Sequence, residues 1–366
     1  MVTVDEYEAT YRALAVCVEC RVPVVLWGPP GQGKTSVVRS IAARLNRPLE
    51  VLLASIREPQ DFAGLPSIHE GRVTLVAPDW AARLAAAKDG ILFTDEVNTA
   101  PPSVQAALLR VCLDRIAGDC DLGKDTSVIA AANPPEQAAD GWDLAPPLAN
   151  RFCHLEWELP TDVVRDGLVG QWPHYPITVP PADLVAEADL RERIVLAAFL
   201  SSRPDLTTVL PKSVSEQGRA FPTPRSWEMA ATLSAFAGAA RESDGVRRML
   251  VRGCVGPGAS AEYLTYRENL DLPNPEDVLK NPAGFKLPGR PDQLYAVGAS
   301  VLAALRMKSE PDRWQAAGTV LERFAKAGHP DIAVTLARDW LRIRPESELP
   351  HTAVLAALAS GFHAGG

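Results

Sequence analysis

The sequence predicts an α/β fold, a parallel sheet flanked by helices, followed by an all-helical region. Three observations carry that expectation. Short apolar runs rich in β-branched residues recur at 22–27 (VPVVLW), 49–53 (LEVLL), 91–94 (ILFT), 127–132 (SVIAAA) and 153–159 (CHLEWEL). Stretches of helical periodicity lie between them, notably 78–88 and 102–117. Apolar strands alternating with helices describe a parallel sheet covered on both faces. After about residue 160 the strand signals stop, and 183–202 and 225–252 are helical in period. Residues 292–362 read as four helices separated by Pro, Gly and His-Pro breaks.

The chain has 366 residues, enough to bury a substantial core without staples. Hydrophobic residues at 47% and charged residues at 22% exclude wholesale disorder. The net charge of −8 disfavours a surface that grips long duplex, though not a local basic lining. No apolar run approaches the ~20 residues of a membrane helix. The start, MVTVDEYEATYR, has neither a basic nor an apolar leader region, so the expected location is cytoplasmic, with no membrane contact. Cys17 and Cys20 form one C-x-x-C without a second pair at zinc spacing, and read as reduced thiols in a helix leading into a buried strand. His69, His154, His174, His329, His351 and His363 are dispersed, none pairing with another at i+3 or i+4, and read as surface or packing residues.

The strongest motif follows the first apolar run. Gly28-Pro29-Pro30-Gly31-Gln32-Gly33-Lys34-Thr35 fits G-x-x-x-x-G-K-[ST], and Ser36 continues into an amphipathic helix with Val37, Val38, Ile41, Ala42 and Leu45 on one face. Glycines at 28, 31 and 33 allow a backbone that aims several N–H groups at phosphate oxygens. Lys34 reaches toward the β- and γ-phosphates, Thr35 offers a hydroxyl to Mg²⁺, and the helix turns its positive end to the anion. This pattern predicts a nucleoside triphosphate site.

Four further positions complete the expected site. Asp95 and Glu96 end the strand ILFT, at the carboxyl edge where parallel sheets bind ligands. Asp95 is the Mg²⁺ partner, through water, and Glu96 the residue that polarises the attacking water. Asn133, after SVIAAA and before Pro134-Pro135, places its amide near the γ-phosphate or that water. Arg151 precedes the last strand. Arg225 lies in the first turn of a helix capped by Thr223 with Pro224 at its first position, where a cation is unfavourable unless an anion compensates it.

GPPGQGKT, ILFTDEVNTAPPSVQAALL, AANPPE, LANRF and TPRSWE, in that order, resemble the AAA+ ATPases, and more narrowly their MoxR-like branch. The resemblance covers roughly residues 20–270. It implies a P-loop AAA+ core over 1–160, a helical lid carrying sensor 2 over 161–285 and a C-terminal helical extension over 286–366. It makes Lys34 and Thr35 Walker A, Asp95 and Glu96 Walker B, and Asn133 sensor 1. Arg225 becomes sensor 2, acting on its own subunit's nucleotide, and Arg151 the finger that reaches a neighbour's γ-phosphate. A hexameric ring, ATP with Mg²⁺, and a remodelled partner protein, often one with a von Willebrand factor A domain, are implied with it. Residues 66–78 and about 117–126 correspond to hairpins on the pore face, and hold only Arg72 and Lys124 as cations. That shortage weighs against a nucleic-acid-translocating motor. Intact Glu96 and Arg151 weigh against a nucleotide-gated scaffold without turnover.

Overall fold

The computed structural model describes residues 2–134, 142–270 and 272–345. Pro135, His351, His363 and the last of the four expected C-terminal helices lie outside the described residues. Contacts divide the chain into two compact units, 1–189 with 206–261, and 190–205 with 262–366.

The first unit opens with α1 (Val4–Glu19), capped by Thr3, whose hydroxyl accepts from the Glu6 amide while Glu6 returns a bond to the Thr3 amide. Then follow β1 (Val24–Trp27), α2 (Lys34–Leu45), β2 (Leu49–Leu53), the short α3 (Gln60–Ala63) and a hairpin of β3 (Leu65–His69) and β4 (Arg72–Val76). After α4 (Asp79–Ala87) come β5 (Ile91–Asp95), α5 (Pro102–Asp114), a small hairpin of β6 (Ile116–Ala117) and β7 (Cys120–Asp121), β8 (Ser127–Ala132), α6 (Pro146–Ala149) and β9 (Cys153–Glu156). Five of the strands form one parallel sheet in the order β2-β5-β8-β1-β9. All five expected strands are present. The sheet puts the carboxyl ends of β1, β5 and β8 side by side, so three segments distant in sequence open onto one edge.

The strands alternate their buried faces. Val25, Trp27, Leu92, Val128, Ala130 and Ala132 belong to one core cluster with Trp80 and Leu84 of α4 and Val104, Leu108 and Val111 of α5. Val24 and Leu26 point the other way and are equally buried. The helix expected over 102–117 stops at Asp114, because Arg115 takes a left-handed backbone (φ +56°) and the next two residues pair as β6. Arg115 is buried, and its guanidinium donates to the carbonyls of Thr126, Arg21 and Cys112. All six cysteines are free thiols; Cys17 is buried and Cys20 half-buried.

Beyond β9 the chain is helical, with α7 (Thr161–Leu168), α8 (Ala182–Ser202), α9 (Val214–Gln217), α10 (Pro224–Ala239), α11 (Asp244–Val255) and α12 (Pro257–Glu268). The helical periodicity over 225–252 resolves into two helices. Arg241 turns left-handed (φ +57°), and Ser243 starts α11 by accepting from the Val246 amide. The unit boundaries fall within α8 and α12. The second unit adds α13 (Pro275–Lys280), α14 (Pro291–Met307), α15 (Pro311–Lys326) and α16 (Pro330–Arg342). Its core is centred on Trp314 and Trp340, stacked at 4.3 Å, each indole N–H donating to the other's backbone carbonyl. Among the described residues no helix is long and apolar enough to cross a membrane.

Candidate nucleotide site

Between β1 and α2 the backbone must reverse tightly, and Gly31 (φ +80°) and Gly33 (φ +68°) adopt the left-handed region that allows it. The loop is latched from the next strand. Trp157 Nε1 donates to the Gln32 carbonyl at 2.8 Å, and the Leu159 amide to Gln32 Oε1 at 2.9 Å. Gln32 therefore holds the loop's shape through its side chain and carbonyl. Lys34 is buried, its Nζ donating to the carbonyls of Gly28 (2.5 Å) and Pro29 (3.0 Å) and to Asn133 Oδ1 (3.1 Å). Burial lowers its pKa, while Asp95 and Glu96 work in the opposite direction.

Thr35 Oγ1 donates to Asp95 Oδ2 at 2.9 Å. A hydroxyl and a carboxylate converging at this distance are hard oxygen donors of the kind Mg²⁺ takes, so the residues fit the ion. Glu96 follows with φ +55°, unusual for a residue bearing a β-carbon and costly by roughly 1–3 kcal/mol. Its amide donates to Asp95 Oδ1 (3.0 Å) and its carbonyl accepts from Thr99 Oγ1 (2.9 Å). The turn aims the carboxylate across the edge of the sheet, where Oε2 accepts from Ser55 Oγ at 2.7 Å. Ser55 sits in the turn after β2, and sequence reasoning missed it; a serine after a strand carries no signal.

Asn133 meets Lys34 through its side chain, and Asn98 clasps its backbone: the Asn133 amide donates to Asn98 Oδ1 (3.0 Å) and its carbonyl accepts from Asn98 Nδ2 (2.9 Å). Asn98 is buried, and an asparagine after a strand-end carboxylate pair carries no sequence signal for this clasp. A cavity of about 540 Å³ opens from Gly31, Gly33 and Ser36 and is walled by Tyr7, Tyr11, Trp157 and Trp172. Its size and aromatic walls suit the nucleoside half of a nucleotide.

Arg151 and Arg225 are not brought to this edge. Cys153 pairs with Val24 at the amino end of β9, so Arg151, two residues earlier, stands at the opposite edge of the sheet from Gly28. A four-residue strand separates those edges by roughly 10 Å. Thr223 caps α10 and donates to Asn150 Oδ1 at 2.7 Å, while Asn150 Nδ2 donates to the Phe221 carbonyl at 3.0 Å. This latch sets the first turn of α10 beside Arg151. Burial lowers the Arg151 pKa, and the Arg225 charge lowers it further. Arg151 donates to the Pro147 carbonyl, and its buried Nε has no partner. The capping latch holds Arg225 with Arg151, as two cations in one field, where the resemblance implied a role on its own chain's nucleotide.

The family model for the AAA domain (dynein-related subfamily) matches residues 23–152. The transcriptional regulatory protein XylR of Pseudomonas putida is 34% identical over 121 residues, 31% of this chain and 21% of the relative. The Holliday junction branch migration complex subunit RuvB of Mycoplasma pneumoniae is 29% identical over 103 residues, 28% of each chain. The chain spans less than half the length of the curated relatives it matches. A solved structure named as an ATPase, from Cytophaga hutchinsonii ATCC 33406, is similar with a TM-score of 0.41 at 14% identity, over 73% of this chain and 93% of that one. The match to the AAA domain thus falls on residues 23–152, which carry the phosphate loop, Asp95, Glu96 and Asn133.

Proposed function

We propose that the protein is a Mg²⁺-dependent ATPase of the MoxR-like AAA+ type, assembling into a hexameric ring, hydrolysing ATP between subunits and using the cycle to remodel a partner protein. A partner with a von Willebrand factor A domain belongs to that reading through the resemblance. One observation carries the assembly: Arg151 and Arg225 stand together, without an ion pair among the described residues, at the edge opposite their own phosphate loop. Two convergent arginines are a site for phosphate charge, and the nearest such charge they can serve is bound to another copy.

In the cycle, Lys34 exchanges the Gly28 and Pro29 carbonyls for phosphate oxygens. Thr35 and, through water, Asp95 would hold Mg²⁺, which would supply neutralising charge to the phosphates. Glu96 turns from Ser55 to a water, takes its proton as the water oxygen attacks the γ-phosphorus, and the bond to the β-phosphate oxygen breaks to give ADP and phosphate. Asn133 orients the γ-phosphate or that water, and the neighbour's Arg151 and Arg225 stabilise the charge that develops on the transferred group. A nucleic-acid-translocating motor, the class RuvB's name suggests, is the second reading; the two hairpins supply few cations for it.

The mass of the Glu96→Gln protein, measured by light scattering with and without Mg·ATP, tests the assembly. A shift toward six times 39.3 kDa supports the ring. A protein that binds ATP and stays monomeric removes the trans arginines from the mechanism and favours a nucleotide-gated scaffold.

A further inference from the structure

β9 is the last strand in the sheet order, and α11 packs directly against it. Glycine allows that approach: a β-carbon at Gly253 would lie 2.5 Å from the His154 carbonyl oxygen. Gly256 (φ +78°) allows a second, since a β-carbon there would lie 2.7 Å from the Ala220 carbonyl oxygen. Between these two contacts β9, the segment before α10 and the end of α11 wall a cavity of about 320 Å³, all within the first unit. A volume of that order suits a small molecule. The cavity shares no lining residue with the one beside the phosphate loop.

The charged groups that wall it do not cancel. Arg219 rests 3.7 Å over the Trp27 ring and donates to Glu156 Oε1 at 3.1 Å, its one side-chain hydrogen bond among the described residues. The indole fixes the guanidinium plane and leaves most of its N–H donors uncommitted. Arg252, near the end of α11, forms no side-chain hydrogen bond or ion pair among the described residues. Burial raises the Glu156 pKa, and the charges of Arg219 and Arg252 both oppose that rise, so the three groups share one field. Arg248, one turn earlier on α11 and exposed, adds to it. His154 contributes no charge: burial lowers its pKa to about 4, and its ring nitrogens are taken by Trp27 and the Ala149 carbonyl. Thr10 Oγ1 donates to the Glu6 carbonyl. Two guanidiniums therefore meet one carboxylate, with Met249 and Pro257 as apolar wall. A guanidinium fork matches two oxygens of a carboxylate or a phosphate. We infer that the cavity binds a small organic oxyanion, its charged end between Arg219 and Arg252 and its apolar body against Met249 and Pro257. The site is separate from the phosphate loop and does not rest on the proposed ATPase cycle.

The test is isothermal titration of the full chain with phenyl phosphate, benzoate and neutral benzyl alcohol. One or both anions should bind wild type, and benzyl alcohol should not. Arg252 is exposed, so its substitution leaves the core intact. Arg252→Gln should weaken anion binding at least about tenfold, and Arg252→Glu further. Arg219→Lys, which keeps the charge and loses the fork, should also weaken it. Loss in Arg252→Gln, with binding retained in Lys34→Ala and Arg151→Ala, supports the site, and the tighter of the two anions names the oxyanion. Binding that survives Arg252→Glu overturns the inference; if it is then lost in Lys34→Ala or Arg151→Ala, the anion belongs to the phosphate loop or to the arginine pair. Equal binding of benzyl alcohol, or no binding of either anion to wild type, overturns it as well. Anion binding that depends on Arg252, in a protein that binds no nucleotide, supports the site while removing the ATPase reading.

Discussion

Glu96 shows how a single residue is prepared for chemistry. Its left-handed backbone and three local hydrogen bonds hold the carboxylate beside Asp95 yet engaged by Ser55, so the proposed water activation requires that bond to open. Lys34 is equally committed, buried and satisfied by three acceptors, of which the Gly28 and Pro29 carbonyls give way to phosphate oxygens in the proposed cycle. Lys34→Ala is expected to cost about 3 kcal/mol, roughly a hundredfold, in nucleotide affinity, read by titration with a fluorescent ATP analogue; unchanged affinity removes the phosphate-loop assignment. His154 offers a different test. It is buried against Trp27, accepting from Trp27 Nε1 at 2.9 Å and donating to the Ala149 carbonyl at 2.9 Å. Burial lowers its pKa from 6.5 to about 4. Between those values the unfolded chain takes up a proton that the folded chain refuses, so stability is full above about pH 6.5 and falls as pH drops toward 4. Thermal melts across that window should show the decline, and His154→Gln should flatten part of it.

At the scale of elements, the start of α10 matters more than its length. Thr223 accepts from the Ser226 amide, bonds Asn150 and thereby fixes where Arg225 stands. Thr223→Val should lower stability by about 1 kcal/mol through the lost cap. It should also slow ATP hydrolysis while leaving ATP affinity intact, because the phosphate loop lies at the other edge of the sheet. Equal loss of affinity and rate would show that the cap acts on the chain's own site.

Across the whole molecule, Arg151 stands at the opposite edge of the sheet from the phosphate loop, and the proposed mechanism therefore makes catalysis a property of two copies. Glu96→Gln and Arg151→Ala should each be nearly inactive alone, and mixing them should restore hydrolysis where an intact glutamate meets an intact arginine. Arg225→Ala mixed with Glu96→Gln distinguishes the two possible sites of Arg225. Recovery means it serves a neighbour; no recovery, in mixtures whose subunits demonstrably exchange, means it serves its own nucleotide.

The sequence by itself determined the sheet strands, the phosphate loop, the carboxylate pair and Asn133, because each is written in contiguous residues whose local physics is strong: apolar runs, glycines before a helix, carboxylates at a strand end. It also showed the cap of α10, since Thr-Pro at a helix start acts within four residues. Only the tertiary structure decided what depends on distant segments meeting. Ser55 and Asn98 reach Glu96 and Asn133 because parallel strands deliver β2, β5 and β8 to one edge, and neither leaves a pattern in sequence. Arg225 stands with Arg151 because Asn150 and Thr223, 73 residues apart, share a hydrogen bond, and long-range pairing of that kind is fixed by packing rather than by any local propensity.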